Sequence, residues 1–203
     1  MSNLPTLATG PVQLPGTINR DTIVFIDAEV SPETGKIVDL GACRPDGCFF
    51  HSSNVAAFKE FCKGAEYVCG HNIVAFDMQY LRPVLGDGPQ PVDTLPLSAL
   101  LFPRKRFHKL LKDEKLLTDE LNNPLSDARK AMALFEEEVA AFNELPGVLQ
   151  RLFCAMLKNR PEFAGFFRCL NVQTPTFADP AGVIKRLMAD RLCIHACLLY
   201  TSD

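Results

Sequence analysis

Two carboxylates one residue apart close an apolar run at Ile23-Val24-Phe25-Ile26-Asp27-Ala28-Glu29-Val30. In a β-strand residues i and i+2 share a face, so Asp27 and Glu29 are expected to project side by side from the end of a buried strand. Two like charges so placed repel, and neither is solvated as in water. A divalent cation such as Mg²⁺ or Mn²⁺, which takes carboxylate oxygens in preference to other protein ligands, resolves that conflict. An isolated Asp-x-Glu is equally what a plain strand end facing solvent looks like, so its meaning depends on the rest of the chain. Two further acids stand out there: Asp77, in Gly70-His71-Asn72-Ile73-Val74-Ala75-Phe76-Asp77, and Asp127, in Asn122-Asn123-Pro124-Leu125-Ser126-Asp127.

The elements that must position these acids follow from periodicity and turn chemistry. Residues 1 to about 20 hold Pro5, Pro11, Pro15, Gly10 and Gly16 without apolar periodicity and are expected to form a flexible lead-in. A strand is expected from Thr22 to Val30, a turn at Ser31–Gly35, a strand over Lys36–Arg44, a tight turn at Pro45-Asp46-Gly47 and a third strand over Cys48–Ser52. Three strands joined by short turns make an antiparallel meander. Val55, Phe58, Phe61 and Cys62 recur at helical spacing behind Asn54, a good N-cap. A short strand over Glu66–Gly70, a helix over Val74–Leu85 carrying Phe76 and Asp77, a strand over Val92–Leu95 and a helix from about Leu97 come next. A basic loop and a helix beginning near His108 follow, and then a long helix over Pro124–Asn143, with Pro124 in its first turn. A meander followed by alternating strands and helices implies an α/β fold, a mixed sheet flanked by helices. Val148–Asn159 is a further helix. The aromatic-rich Pro161–Asn171 is expected to be core or a docking face, and Gln173–Ala181 a linker.

Composition bounds the partners. At 203 residues, 47% hydrophobic and 22% charged, the chain suits one globular domain, alone or with an appendage. A formal net charge of −3 speaks against a broad basic face but leaves room for a local one. Arg104-Lys105-Arg106, with Lys109 and Lys112 behind, is such a cluster, and it is either a phosphate-contacting patch or a solvated loop. Eight scattered cysteines without a Cys-x-x-Cys pair, and no signal peptide, fit the reducing cytoplasm. No run of 18 apolar residues is present to span a membrane.

In order and in element type, Asp27 and Glu29 on a first strand, His71-Asn72 with Phe76-Asp77, and Asp127 near the start of a late helix resemble the motifs of the DnaQ-like (DEDD) 3′–5′ exonucleases. The resemblance covers roughly residues 21 to 143. It implies a ribonuclease H-like fold and hydrolysis of phosphodiester bonds at nucleic-acid 3′ ends, DNA before RNA. The implied cofactors are two divalent cations, Mg²⁺ or Mn²⁺. Asp27, Glu29 and Asp127 would hold the ion on the nucleophile side, and Asp27 and Asp77 the second. Two such ions, about 3.5–4 Å apart, together stabilise an in-line displacement at phosphorus. Contact with the nucleic acid is expected at Ala28, His71, Asn72 and Phe76, and from Arg104, Lys105, His108 and Lys109.

One position departs from the pattern. Where one branch of the family carries a histidine five residues before the last acid, as general base, this chain has Asn122. Where the other branch has tyrosine, it has Asn123. An amide takes no proton at neutral pH. Metal activation of the water with Asn122 orienting it, or another base such as His108, would then have to serve. The other outcome is a weakened module that binds nucleic acid without cutting it.

The wider stretch, Phe107–Leu116 with Asp119–Pro124, looks like the exonuclease module that leads some bacterial RecQ-type helicases, which implies a repair-related helicase region as a C-terminal partner. The last residues, Cys197–Asp203, resemble a translated sequencing adapter, so the natural chain is expected to continue, and Cys193, His195 and Cys197 are not read as a metal site. The expected organisation is a lead-in over 1–20, an exonuclease-like domain over 21–145, a helical extension over 146–171, and a linker with a truncated tail over 172–203.

Overall fold

A computed structural model describes residues 20–110, 123–172 and 180–187. After a single 3-10 turn, Arg20–Thr22, the apolar run forms the central strand β1, Ile23–Val30. β2, Ile37–Cys43, and β3, Phe49–His51, complete the meander antiparallel to it. The chain then crosses over through α1, Val55–Phe61, to β4, Tyr67–Gly70, which lies parallel to β1 on its other side. A second crossover through α2, Met78–Leu85, leads to β5, Gln90–Asp93, parallel to β4. The order across the sheet is β3-β2-β1-β4-β5. This is a mixed α/β sheet flanked by helices, an arrangement compatible with a ribonuclease H-like fold.

Strand alternation sorts the core into two layers. Val24, Ile26 and Ala28 of β1 pack with Leu40, Ala42, Val68, Phe58 of α1, and Met78 and Leu81 of α2. Ile23 and Phe25 face the other way, toward α3, Thr94–Leu101, and α4, Pro124–Glu144. α5, Gly147–Leu157, and α6, Pro161–Cys169, complete that second layer. The aromatics of 161–171 prove to be core: Phe166 and Phe167 stack edge-to-face on Phe142 of α4 at 5.4 and 5.9 Å. Gly165 lets α6 sit directly on β5, since a Cβ there would strike the Pro91 carbonyl.

Local chemistry explains most of the element ends. Asn54 caps α1 by accepting from the Ala57 amide at 3.0 Å, and Asn123 caps α4 by accepting from Ser126 at 3.1 Å. The structure also corrects several expected boundaries. α2 starts at Met78 rather than at Val74, so Phe76 and Asp77 precede the helix rather than ride on it. Asp93 closes β5 and caps α3, which therefore begins at Thr94 rather than Leu97. Leu95, read as strand, lies in α3. His108 is not helical; 111–122 lie outside the described residues, as do Asn122, the lead-in 1–19 and Cys193, His195 and Cys197. Within the stretch read as linker, Pro180–Leu187 forms α7, whose Val183 is buried.

Candidate active site

β1 and β2 fix the first acids. Asp27 has the same strand parity as Ile23 and Phe25, so it and Glu29 face the layer that holds α4. Across the ladder Asp27 pairs with Gly41. A Cβ on Gly41 would collide with the backbone of Pro124 and Leu125, so the absence of a side chain there is what lets the first turn of α4 rest on the sheet. Asp127, one helical turn into α4, is thereby brought to the Asp27 side of the sheet. It forms an ion pair with Lys130 at 3.3 Å.

Asp77 arrives from the opposite layer. Its side chain makes no cap bond to α2. Instead, Oδ1 accepts the Ala28 amide at 3.0 Å, the backbone N–H between Asp27 and Glu29. Asp77 is buried, and burial raises its pKa to about 7, with Asp93 and Glu29 adding to the rise against the pull of the Ala28 hydrogen bond.

The turn that delivers Asp77 is held by an acid the sequence reading passed over. Asp93 accepts the amides of Asn72 at 2.9 Å, Val74 at 3.1 Å and Leu95 at 3.0 Å. These bonds hold Asn72 in the left-handed region, φ 64°, which asparagine tolerates better than most residues. The stretch that follows is a turn rather than helix: the Met78 amide bonds to the Ile73 carbonyl, five residues back, instead of to Val74, and α2 starts only at Met78. The signal in the sequence was Asp93-Thr94 directly after an apolar strand, an N-cap pattern.

His71 meets Thr94: Nδ1 lies 2.8 Å from Oγ1, and Thr94 in turn donates to the Gly70 carbonyl at 3.4 Å. Nε2 is buried without a hydrogen-bond partner among the described residues. Burial pushes the His71 pKa below its ordinary value, while the backbone of His108 and the charge of Asp127 act the other way. His71 is thus within electrostatic reach of both Asp127 and the loop that carries His108. Phe76 is 42% exposed and packs edge-to-face on Tyr80 at 5.8 Å.

A second unanticipated acid is Asp39. It pairs across the ladder with Glu29, and its Oδ2 binds His51 Nε2 at 2.8 Å. The antiparallel register fixes that placement; spacing along the chain gave no hint of it.

Arg104, Lys105 and Lys109 are exposed on the segment after α3. Lys105 lies 4.2 Å from the Phe102 ring centroid and 3.7 Å from Glu137. His108 Nδ1 is 2.9 Å from the Ser98 hydroxyl of α3, which fixes its ring.

The donor chemistry suits a hard divalent cation, four carboxylates without thiolate. As placed, they do not form a cage: among the described residues no three His, Cys, Asp or Glu side chains stand where they could together hold an ion. The structure brings Asp27, Glu29 and Asp77 to one strand end and the Asp127 turn beside it.

The chain matches no family model and no curated protein. Among solved structures it is similar to the family B DNA polymerase from the hyperthermophilic archaeon Pyrobaculum calidifontis, at 18% identity and a TM-score of 0.42. The match covers 73% of this chain and 29% of the polymerase, so the chain spans less than a third of that protein's length. No helix among the described residues is long and apolar enough to cross a membrane.

Proposed function

We propose that this chain is a metal-dependent 3′–5′ exonuclease of the DnaQ-like (DEDD) class that hydrolyses phosphodiester bonds at nucleic-acid 3′ ends, DNA before RNA. The observation that carries the reading is the Asp77–Ala28 bond, which ties a third acid to the strand segment bearing Asp27 and Glu29. Asp27, Glu29 and Asp127 would hold one divalent cation, and Asp27 and Asp77 a second, with Mg²⁺ or Mn²⁺ as the ions. Such ions supply a metal-activated water and stabilisation of the leaving oxygen. The chain's own residues position the site. Asp93 holds the 71–77 turn and Gly41 admits α4, and His71 and Phe76 would contact the terminal nucleotide. By the wider resemblance the proposal extends to the leading module of a repair helicase.

A second reading has its own support. Without a three-acid cage among the described residues, and with Asn122 where a base would stand, the same fold suits a module that binds nucleic acid without cutting it.

Release of nucleotides from 3′-labelled single-stranded DNA with Mn²⁺ or Mg²⁺ separates the two. Metal-dependent release by the wild type that is lost in Asp27→Ala supports the nuclease, and a gain in Asn122→His identifies the missing base as limiting. DNA binding without release in either wild type or Asn122→His favours the binding module.

A further inference from the structure

Asn122 stands where a base is expected, so in a working nuclease the proton of the attacking water has to leave through another group. Of the four histidines in the chain, His195 lies outside the described residues, His108 is tied to Ser98 at 2.9 Å, and His71 meets Thr94 with its Nε2 buried. His51, the last residue of β3, is different: a carboxylate holds it and water reaches it. Its Nε2 lies 2.8 Å from Asp39 Oδ2, and the His51 and Asp39 side chains are 37% and 32% exposed.

Register places this pair beside the acids. Across the sheet Asp27, Gly41 and His51 form one row, and Glu29 and Asp39 form the next. Residues opposite one another in an antiparallel ladder project to the same face, with Cβ atoms about 4.5–5.5 Å apart. Asp27, Glu29, Asp39 and His51 therefore share the face that carries α4. Arg129 of α4 bears this out: it sits 5.2 Å from the ring centroid of Phe49, which has the strand parity of His51. His51 is two strand spacings from Asp27, about 10 Å. The first turn of α4 rests on Gly41 between them, so the way from His51 to the acids runs along the Glu29 row, where Asp39 holds the imidazole.

A carboxylate accepts hydrogen bonds and donates none. His51 therefore gives Nε2–H to Asp39 and, when neutral, keeps its lone pair on Nδ1. An imidazole fixed in one tautomer by an acid behind it is the arrangement of a general base. An ion pair this exposed adds little to stability, so folding alone gives poor reason for it. A base acts within hydrogen-bond reach or through one water, and the second suits the spacing here. The charged groups around His51 are Asp39 on β2, Glu29 and Asp27 on β1, and Arg129 on α4.

We propose that His51, oriented by Asp39, is the general base of this site. The attacking water loses a proton, which passes through one intervening water to His51 Nδ1. Its oxygen bonds to phosphorus as the bond from phosphorus to the 3′-oxygen breaks, and that leaving oxygen takes a proton from solvent. The imidazolium, held by Asp39, then returns its proton to solvent. The proposal rests on the nuclease reading above and adds the group that serves in place of a base at position 122.

The test is the pH dependence of Mn²⁺-dependent nucleotide release from 3′-labelled single-stranded DNA, over about pH 5 to 8, where histidine ordinarily changes charge. The wild-type rate should fall toward acid. His51→Gln should lower kcat by about 10²–10⁴-fold and abolish that acid limb, with KM and the Mn²⁺-induced rise in melting temperature unchanged. Asp39→Asn should lower kcat in the same sense. Adding Asn122→His to His51→Gln should bring back both the rate and the acid limb, a rescue that a merely structural role for His51 does not predict. Circular dichroism checks that each variant is folded. A wild-type rate in His51→Gln, or a reduced rate that keeps the acid limb, would overturn the proposal; release still lost in Asp27→Ala would leave the nuclease standing. No release from the wild type would remove the nuclease reading and the base with it.

Discussion

Glu138 sits in the middle of α4 with 0% of its surface exposed and both carboxylate oxygens without a hydrogen-bond partner among the described residues. The charged groups that act on it are Asp93 and Glu137, which disfavour its ionisation, and Lys105, which favours it. Burial dominates and pushes its pKa from 4.5 to about 10. The side chain is therefore neutral in the folded protein at neutral pH and ionised in the unfolded one. Because the folded pKa lies above the unfolded value, the stabilisation is fully present below 4.5 and is lost progressively as pH rises toward about 10. From 4.5 to neutrality is about 2.5 pH units at about 1.4 kcal/mol each, so the wild type forgoes about 3 kcal/mol near neutral pH. Glu138→Gln keeps the shape and the neutral amide and removes the proton from the balance. Denaturant unfolding across pH should show the two proteins alike below 4.5 and the variant ahead by up to about 3 kcal/mol at neutrality, with the gap widening further in alkali. A gap that does not change with pH would refute the reasoning. So would a wild type more stable than the variant at alkaline pH, which would mean that Glu138 is ionised and paired with Lys105.

Gly41→Ala should cost about 1–3 kcal/mol, the usual range for overpacking, because its Cβ meets the backbone of Pro124 and Leu125 rather than a yielding side chain. Thermal unfolding reads the loss, and metal-dependent nucleotide release should fall with it as the Asp127 turn is displaced. Asp93→Asn keeps a single acceptor oxygen and no charge for three backbone amides. A stability loss of about 1–3 kcal/mol is expected, and amide hydrogen exchange should rise at Asn72 and Val74; unchanged exchange there would contradict the role given to Asp93. Added Mn²⁺ should raise the melting temperature of the wild type in proportion to the logarithm of its excess over Kd. The shift should disappear on chelation and be lost in Asp27→Asn; a shift retained in that variant would place the ion elsewhere.

Much of the fold was legible because it is written in local signals. The apolar run into Asp27 and Glu29, the Pro-Gly turns of the meander, the Asn54 cap and Pro124 in the first turn of α4 each act within a few residues, where spacing alone reports geometry. The misplaced boundaries had distant causes. Val74–Asp77 has helical periodicity, yet it forms a turn in which the Met78 amide bonds to Ile73; Asp93, about twenty residues on, holds that turn through the amides of Asn72 and Val74, and the Ala28 amide draws the Asp77 carboxylate toward β1.

The sequence by itself determined the types of the acids, their order and the faces that Asp27 and Glu29 share, because strand alternation is a property of the backbone. Only the tertiary structure decided what surrounds them. Register put Asp39 opposite Glu29 and His51 opposite Gly41, where it binds Asp39, close approach at Gly41 brought in α4, and burial raised Asp77 and Glu138. Each of these depends on which distant backbones meet and which side chains lose their water, and neither is written in the spacing of residues along the chain.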